Sequence, residues 1–159
     1  MKRGESKPIR SRQAYCLHIR PEAGLRYSIL ALSEDNIATT FLLATRLREV
    51  GHEIEVVSDA GAFIARLRAD RFDWLLVDGD VARVAGKGLF DSLTARRGVA
   101  RIVWIGQRPR QSTIAIAARF AKPISYAELC RYFSALATSD KKRLQGRART
   151  RVPRERSST

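Results

Sequence analysis

The sequence predicts an α/β domain built on a five-stranded parallel sheet. Short apolar runs alternate along the chain with segments whose apolar residues recur at helical spacing. The run from Trp74 to Val77 has no polar alternation, as a strand buried on both faces of a parallel sheet requires. That run stops abruptly on Asp78-Gly79-Asp80, which delivers a carboxylate to the sheet edge where open α/β folds place their chemistry. Taken alone, Asp78 followed by Gly79 also suits a simple turn.

The elements follow in order. Tyr27-Ser28-Ile29-Leu30-Ala31-Leu32 reads as the first strand and ends in Ser33-Glu34-Asp35-Asn36. Ile37, Phe41, Leu43, Leu47 and Val50 then recur at helical spacing, and Gly51 stops that helix. Glu53 to Val57 alternates before turning apolar, as a strand near the sheet edge does. Ala60, Phe63, Ile64 and Leu67 mark a second helix, capped by Ser58 or Asp59. After the strand ending at Asp78 comes a loop over 80–88, and then a third helix marked by Leu89, Phe90 and Leu93 that stops near Gly98. Arg101 to Ile105 is a fourth buried strand, ending at Gly106. Between Gln107 and Ala118 the pattern fits either a short helix or an extended piece, with Pro109 breaking its start. Arg119-Phe120-Ala121 reads as a short last strand before Lys122-Pro123. Ser125-Tyr126-Ala127-Glu128 is a capping box for the final helix, whose apolar stripe is Leu129, Phe133 and Leu136.

The 159 residues suffice for one domain with a full core. No apolar run approaches the length of a membrane span, and the first residues lack the apolar core of a signal peptide. Cys16 and Cys130 have neither the number nor the spacing of a disulfide framework or zinc site, so a reducing cytoplasm is the expected compartment. His18 and His52 have no ligand cluster beside them and read as surface or strand-edge residues. The formal charge of +14 is uneven: residues 1–26 carry +5, residues 138–159 carry +6, and the long middle, 27–137, only +3. The expected organisation is therefore a basic flexible leader over 1–26, a domain over 27–137 and a basic disordered tail over 138–159.

In a doubly wound, flavodoxin-like sheet of order 2-1-3-4-5, the ends of strands one, three and five meet at one edge. Glu34, Asp35, Asp78 and Lys122 would then share a site. Clustered carboxylates repel one another, and a hard divalent cation such as Mg²⁺, helped by a lysine ammonium, relieves this. Such a pocket suits a phosphoryl group, with a carboxylate as its acceptor.

Over about residues 27–137 the chain resembles the receiver domain of bacterial two-component response regulators. The resemblance rests on Glu34-Asp35-Asn36, Gly51-His52-Glu53, Asp59-Ala60, the run from Phe72 to Asp78, Gly86 and Lys122-Pro123. It implies that Asp78 is the phosphoacceptor, charged by a histidine kinase or phosphotransfer protein, and that the domain acts on an output protein. It further implies that Glu34, Asp35 and Asp78 hold Mg²⁺, that the Asp80 carbonyl completes the metal site, and that Lys122 contacts the phosphoryl group. The Lys122-Pro123 peptide is similar to one that receivers commonly hold in cis.

The chain departs from that pattern at its switch positions. Gly106 stands where receivers usually carry Thr or Ser, Arg119 where strand five carries an aromatic ring, and Ala82 replaces a usual proline. Trp104, two residues before Gly106, reads as a space-filling residue. The segment from Gly106 to Lys122 is shorter than is usual for receivers, so the fourth helix is expected to be shortened or missing. Two rival readings follow. One makes the receiver-like domain a degenerate scaffold whose basic ends bind nucleic acid or another anionic partner. The other is a phosphatase of the haloacid-dehalogenase type, suggested by Asp78-Gly79-Asp80, although that motif normally opens a larger chain.

Overall fold

The computed structural model describes residues 25–33, 37–96, 99–109 and 113–149. Strand β1 (Ser28–Leu32) leads to helix α1 (Ile37–Glu49), strand β2 (Glu53–Val57) and helix α2 (Ala60–Ala69). Strand β3 (Trp74–Asp78) runs into two consecutive helices, α3 (Gly79–Ala85) and α4 (Lys87–Ala95). Strands β4 (Arg101–Ile105) and β5 (Ile116–Phe120) follow, and helix α5 (Tyr126–Arg149) closes the described chain. All strand pairs are parallel, in the expected order β2-β1-β3-β4-β5.

Burial follows position in the sheet. Every residue of β3 is buried, and β1 and β4 are buried except at their first residues, because helices cover both of their faces. The edge strands β2 and β5 are only partly covered. On one side of the sheet Leu43 and Leu47 of α1 and Leu129, Phe133 and Ala137 of α5 pack on Ile29, Ala31, Trp74, Leu76, Val103 and Ile105. On the other side Phe63 and Leu67 of α2, Ala82 of α3 and Leu89 and Leu93 of α4 pack on Leu30, Leu32, Leu75, Val77, Ile102 and Trp104. The alternating side-chain direction of each strand sorts its residues between these two cores. No helix of the described residues is long and apolar enough to cross a membrane.

Four points change or settle the expectations. The stretch after Asp78 is helix, because Asp78 caps it through its own side chain and Val81, Ala82, Val84 and Ala85 suit a helical turn. No helix lies among the described residues between β4 and β5. Residues 113–115 belong to neither helix nor strand and β5 begins at Ile116, so the described end of the ambiguous segment enters the last strand. A bulge marks the β4–β5 pairing: Ile102 pairs with Ile116 but Val103 with Ala118, leaving Ala117 as the extra residue. His52 leads into β2 but is buried, stacked on Tyr27 with centroids 5.2 Å apart.

The fourth change concerns the basic tail. Helix α5 does not stop near 137 but continues through Arg149. Residues 138–149 contain good helix formers, and Asp140 anchors them to the sheet. Its Oδ2 accepts from the Tyr27 hydroxyl at 2.8 Å and from Arg101 at 2.9 Å. Those two donors hold the Asp140 carboxyl below the usual carboxylate range. Arg101 also sits 4.8 Å above the Trp74 ring, a cation–π contact. Residues 1–24 and 150–159 lie outside the described residues.

Replacing Asp140 by Ala should lower stability by about 1–2 kcal/mol, since it strands the Tyr27 hydroxyl and one guanidinium. It should also speed tryptic cleavage after Lys141 and Lys142, which an intact helix protects. Urea unfolding and timed digestion measure the two effects. Burial lowers the pKa of His52. Above pH ~6.5 the imidazole is neutral in both states and costs nothing. As pH falls below that, the unfolded chain takes up a proton that the fold resists, so stability should drop by up to ~1.4 kcal/mol per pH unit until His52 charges in the fold. A His52→Phe variant should lose that part of the pH dependence in melting scans between pH 7 and 5.

Candidate functional site

Asp78 is at once the last residue of β3 and the cap of α3. Strand burial on both faces leaves its carboxylate 4% exposed, so the charge needs partners. It has two. The Asp80 backbone N–H donates to its Oδ1 at 2.9 Å, and the Lys122 ammonium lies 2.9 Å from the same oxygen. Lys122 arrives two residues past β5, at the start of a cis Lys122-Pro123 peptide. Its Nζ also donates to Asp80 Oδ2 at 2.7 Å, and Arg83 stands 3.5 Å from Asp80 Oδ1. The hydrogen bond and charge of Lys122, and then Arg83, hold the Asp80 carboxyl below its ordinary pKa. The result is a buried carboxylate, an outer carboxylate and one ammonium between them.

Two glycines shape the floor. A Cβ on Gly79 would fall 2.6 Å from the Trp104 Nε1 and 2.9 Å from the Ile105 carbonyl oxygen. Only a residue without a side chain lets the acceptor turn lie against the end of β4. Gly106 has φ +94°, in the left-handed region, and its missing Cβ would face the Lys122 stem at 3.8 Å. A Thr or Ser there would carry backbone strain, so this loop is built for glycine and not for a hydroxyl.

The sequence reading placed Asp78, Asp80 and Lys122 together, and the fold does bring them together. Glu34 and Asp35 lie outside the described residues; the described part of that connection ends at Ser33, just after Leu32 pairs with Val77. Asp80 lies in the first turn of α3, and its carboxylate meets Lys122. Arg119 is exposed, level with Trp104 in the β4–β5 register. Its neighbour Phe120 turns to the opposite face and packs edge-on against Tyr132, 5.6 Å between centroids. Trp104 is more than filler. Its indole N–H donates to the Gln107 carbonyl at 2.8 Å, its ring lies near Phe90, and it covers Gly79. The pairing of a Trp near the end of β4 with a Gly directly after Asp78 was the only sign of this in the sequence.

The described carboxylates suit a hard cation, being all-oxygen donors beside one another. Among the described residues, however, no three His, Cys, Asp or Glu side chains gather as a metal group. Asp78 and Asp80 alone supply half of the expected set.

No protein-family model matches the sequence, and no curated protein does. Solved structures do match in fold. Chemotaxis response regulator CheY4 of Vibrio cholerae superposes with a TM-score of 0.58 at 17% identity, covering 70% of this chain and 98% of that one. A CheY-like receiver domain protein from Methanospirillum hungatei gives 0.58 at 20% identity over 74% of this chain and 97% of its own. The receiver domain of a sensor histidine kinase from Pseudomonas aeruginosa, with a magnesium ion coordinated in its active-site cleft, gives 0.53 at 23% identity, covering 66% of this chain and 93% of that one. The chain therefore has the fold of response-regulator receiver domains.

The Gly79→Ala variant should lose about 1–3 kcal/mol, because the new methyl group must displace Trp104 or strand backbone. Gly106→Thr should lose about 1–2 kcal/mol through backbone strain. Chemical denaturation measures both, and the intrinsic fluorescence of Trp104 should shift in the first variant more than in the second.

Proposed function

We propose that the chain is a phosphoacceptor signalling domain, which takes a phosphoryl group on Asp78 from a histidine kinase or phosphotransfer protein and then acts by binding an output partner. The observation that carries this reading is the buried Asp78 carboxylate held 2.9 Å from the Lys122 ammonium at the carboxyl edge of a 2-1-3-4-5 sheet. Among the described residues both of its close contacts fall on Oδ1, so Oδ2 is the oxygen we assign to attack phosphorus. The bond from phosphorus to the donor nitrogen breaks as the Asp78 oxygen–phosphorus bond forms, giving an acyl phosphate. Lys122 is placed to follow the charge from the carboxylate to the phosphoryl oxygens, while Asp80 keeps the ammonium oriented. Asp78 and Asp80, with Glu34 and Asp35, are the oxygen donors that would hold Mg²⁺, which when bound offsets the negative charge of the phosphoryl group.

The readout would run through this chain's own residues. Gly106 has no hydroxyl to draw toward a phosphoryl group, and Arg119 is exposed. Trp104 instead touches both the acceptor turn and the loop after β4, so movement of Gly79 would pass to Gln107 and to α4. The scaffold reading, in which basic ends bind an anionic partner, draws support from the basic side chains along the 138–149 part of α5.

Intact-mass spectrometry after incubation with Mg²⁺ and acetyl phosphate tests the central claim. Wild-type protein should gain the mass of one phosphoryl group, Asp78→Asn none, and Lys122→Ala much less. Mg²⁺ at ten times its dissociation constant should add about 1.4 kcal/mol, a melting shift of several degrees for a domain of this size. Equal shifts in the wild type and Asp78→Asn would move the metal elsewhere. Rapid turnover of a phosphomonoester by the purified chain would favour the phosphatase reading instead.

A further inference from the structure

A cleft of about 910 Å³ opens beside the acceptor turn, between α3, α4 and the connection from β4 to β5. It exists because no helix follows β4 among the described residues to cover this end of the sheet. Its apolar wall is the half-buried Phe90 ring, backed by Trp104 and Ile114, and the two aromatic rings lie 6.1 Å apart at a shallow angle. Its rim is basic, with Arg83, Lys87 and Arg108. Lys87 is matched by Asp91 at 2.6 Å, and Arg83 leans on Asp80 at 3.5 Å. Arg108 is exposed and forms no ion pair among the described residues.

We infer that this cleft binds a small aromatic anion, with its planar ring against Phe90 and its negative group on Arg108 and Arg83. An aromatic wall offers stacking area and a surplus guanidinium offers charge-assisted hydrogen bonds, two contacts that reinforce each other only for a ligand carrying both features. The volume is ample for such a molecule, lying toward the upper end of small-molecule sites. Gly79 and Asp80 line the inner end of the cleft, so an occupant sits beside the turn that carries Asp78. Binding requires no phosphoryl group, which separates this inference from the proposed function.

The test uses the full chain without phosphodonor, titrated with naphthalene-1-sulfonate and followed by backbone amide shifts. Saturable shifts should centre on Arg83–Thr94 and Trp104–Pro109. Arg108→Ala should weaken binding about tenfold, the loss expected for a charged hydrogen bond. Arg131→Ala, on the exposed face of α5, should leave it unchanged. Phe90→Leu should weaken binding while Phe90→Tyr retains it. Inorganic sulfate alone and 1-naphthol alone should each bind far more weakly than the combined probe. The inference is overturned if sulfate or naphthol matches the probe, or if the shifts scatter over α5. Concentration-dependent shifts at the same amides without probe would assign the cleft to a second copy of the chain, and would overturn it equally.

Discussion

A carboxylate at the end of a strand buried on both faces has almost no water to solvate it, and much of this molecule is arranged around that one charge. Asp78 is met there by the Asp80 N–H, because α3 starts on it, and by the Lys122 ammonium, which the end of β5 brings across. Each partner imposes a condition. The helix start needs Gly79 bare against Trp104, and the lysine needs a path over Gly106, where a left-handed backbone leaves room for its stem. Breaking the pair from one side would leave a buried charge uncompensated, which costs more than the pair itself contributes.

Much of this was legible from residue order. The uninterrupted run Trp74 to Val77 marks the central strand because burial on both faces removes the need for alternation. The positions of Asp78 and Lys122 at strand ends follow once the sheet order is granted, since parallel strands one, three and five end at one edge. What stayed hidden depends on contacts distant in sequence. Asp78 followed by Gly79 reads equally as a turn or a cap; the Asp78 side chain closing on the Asp80 N–H, with Gly79 bare against Trp104, makes it a helix start. Helix α5 seemed to end where its apolar stripe ends. Its continuation rests on Asp140 reaching Tyr27 and Arg101, neither of which is a neighbour in the chain. His52 looked like a surface residue because nothing local reveals that Tyr27 and Phe133 close over it.

Among the described residues no helix follows β4, and the bulk of Trp104 fits that absence. A doubly wound sheet needs cover on both faces. Here a large indole, Phe90 and the stretch 113–115 lie at the end of β4 that a helix would otherwise cover. The substitution keeps Trp104 and Ile114 buried yet leaves the neighbouring space open and edged by arginines. A large aromatic residue is also stiffer than a short helix on a loop. Trp104 is the direct contact between the acceptor turn and the loop at Gln107.

Strand β5 is the outermost strand on its side, with its polar backbone groups turned away from β4 and only half of its side-chain surface covered. An open edge of this kind is a template on which another extended chain can pair, and long flat ones promote aggregation. This edge is neither long nor flat. The strand is five residues, the bulge at Ala117 twists it, and Arg119 sets a charge beside any incoming strand. On the opposite edge Glu53 and Glu55 do the same for β2. Among the described residues both sheet margins thus combine a short strand with charged side chains, features that discourage edge-to-edge pairing.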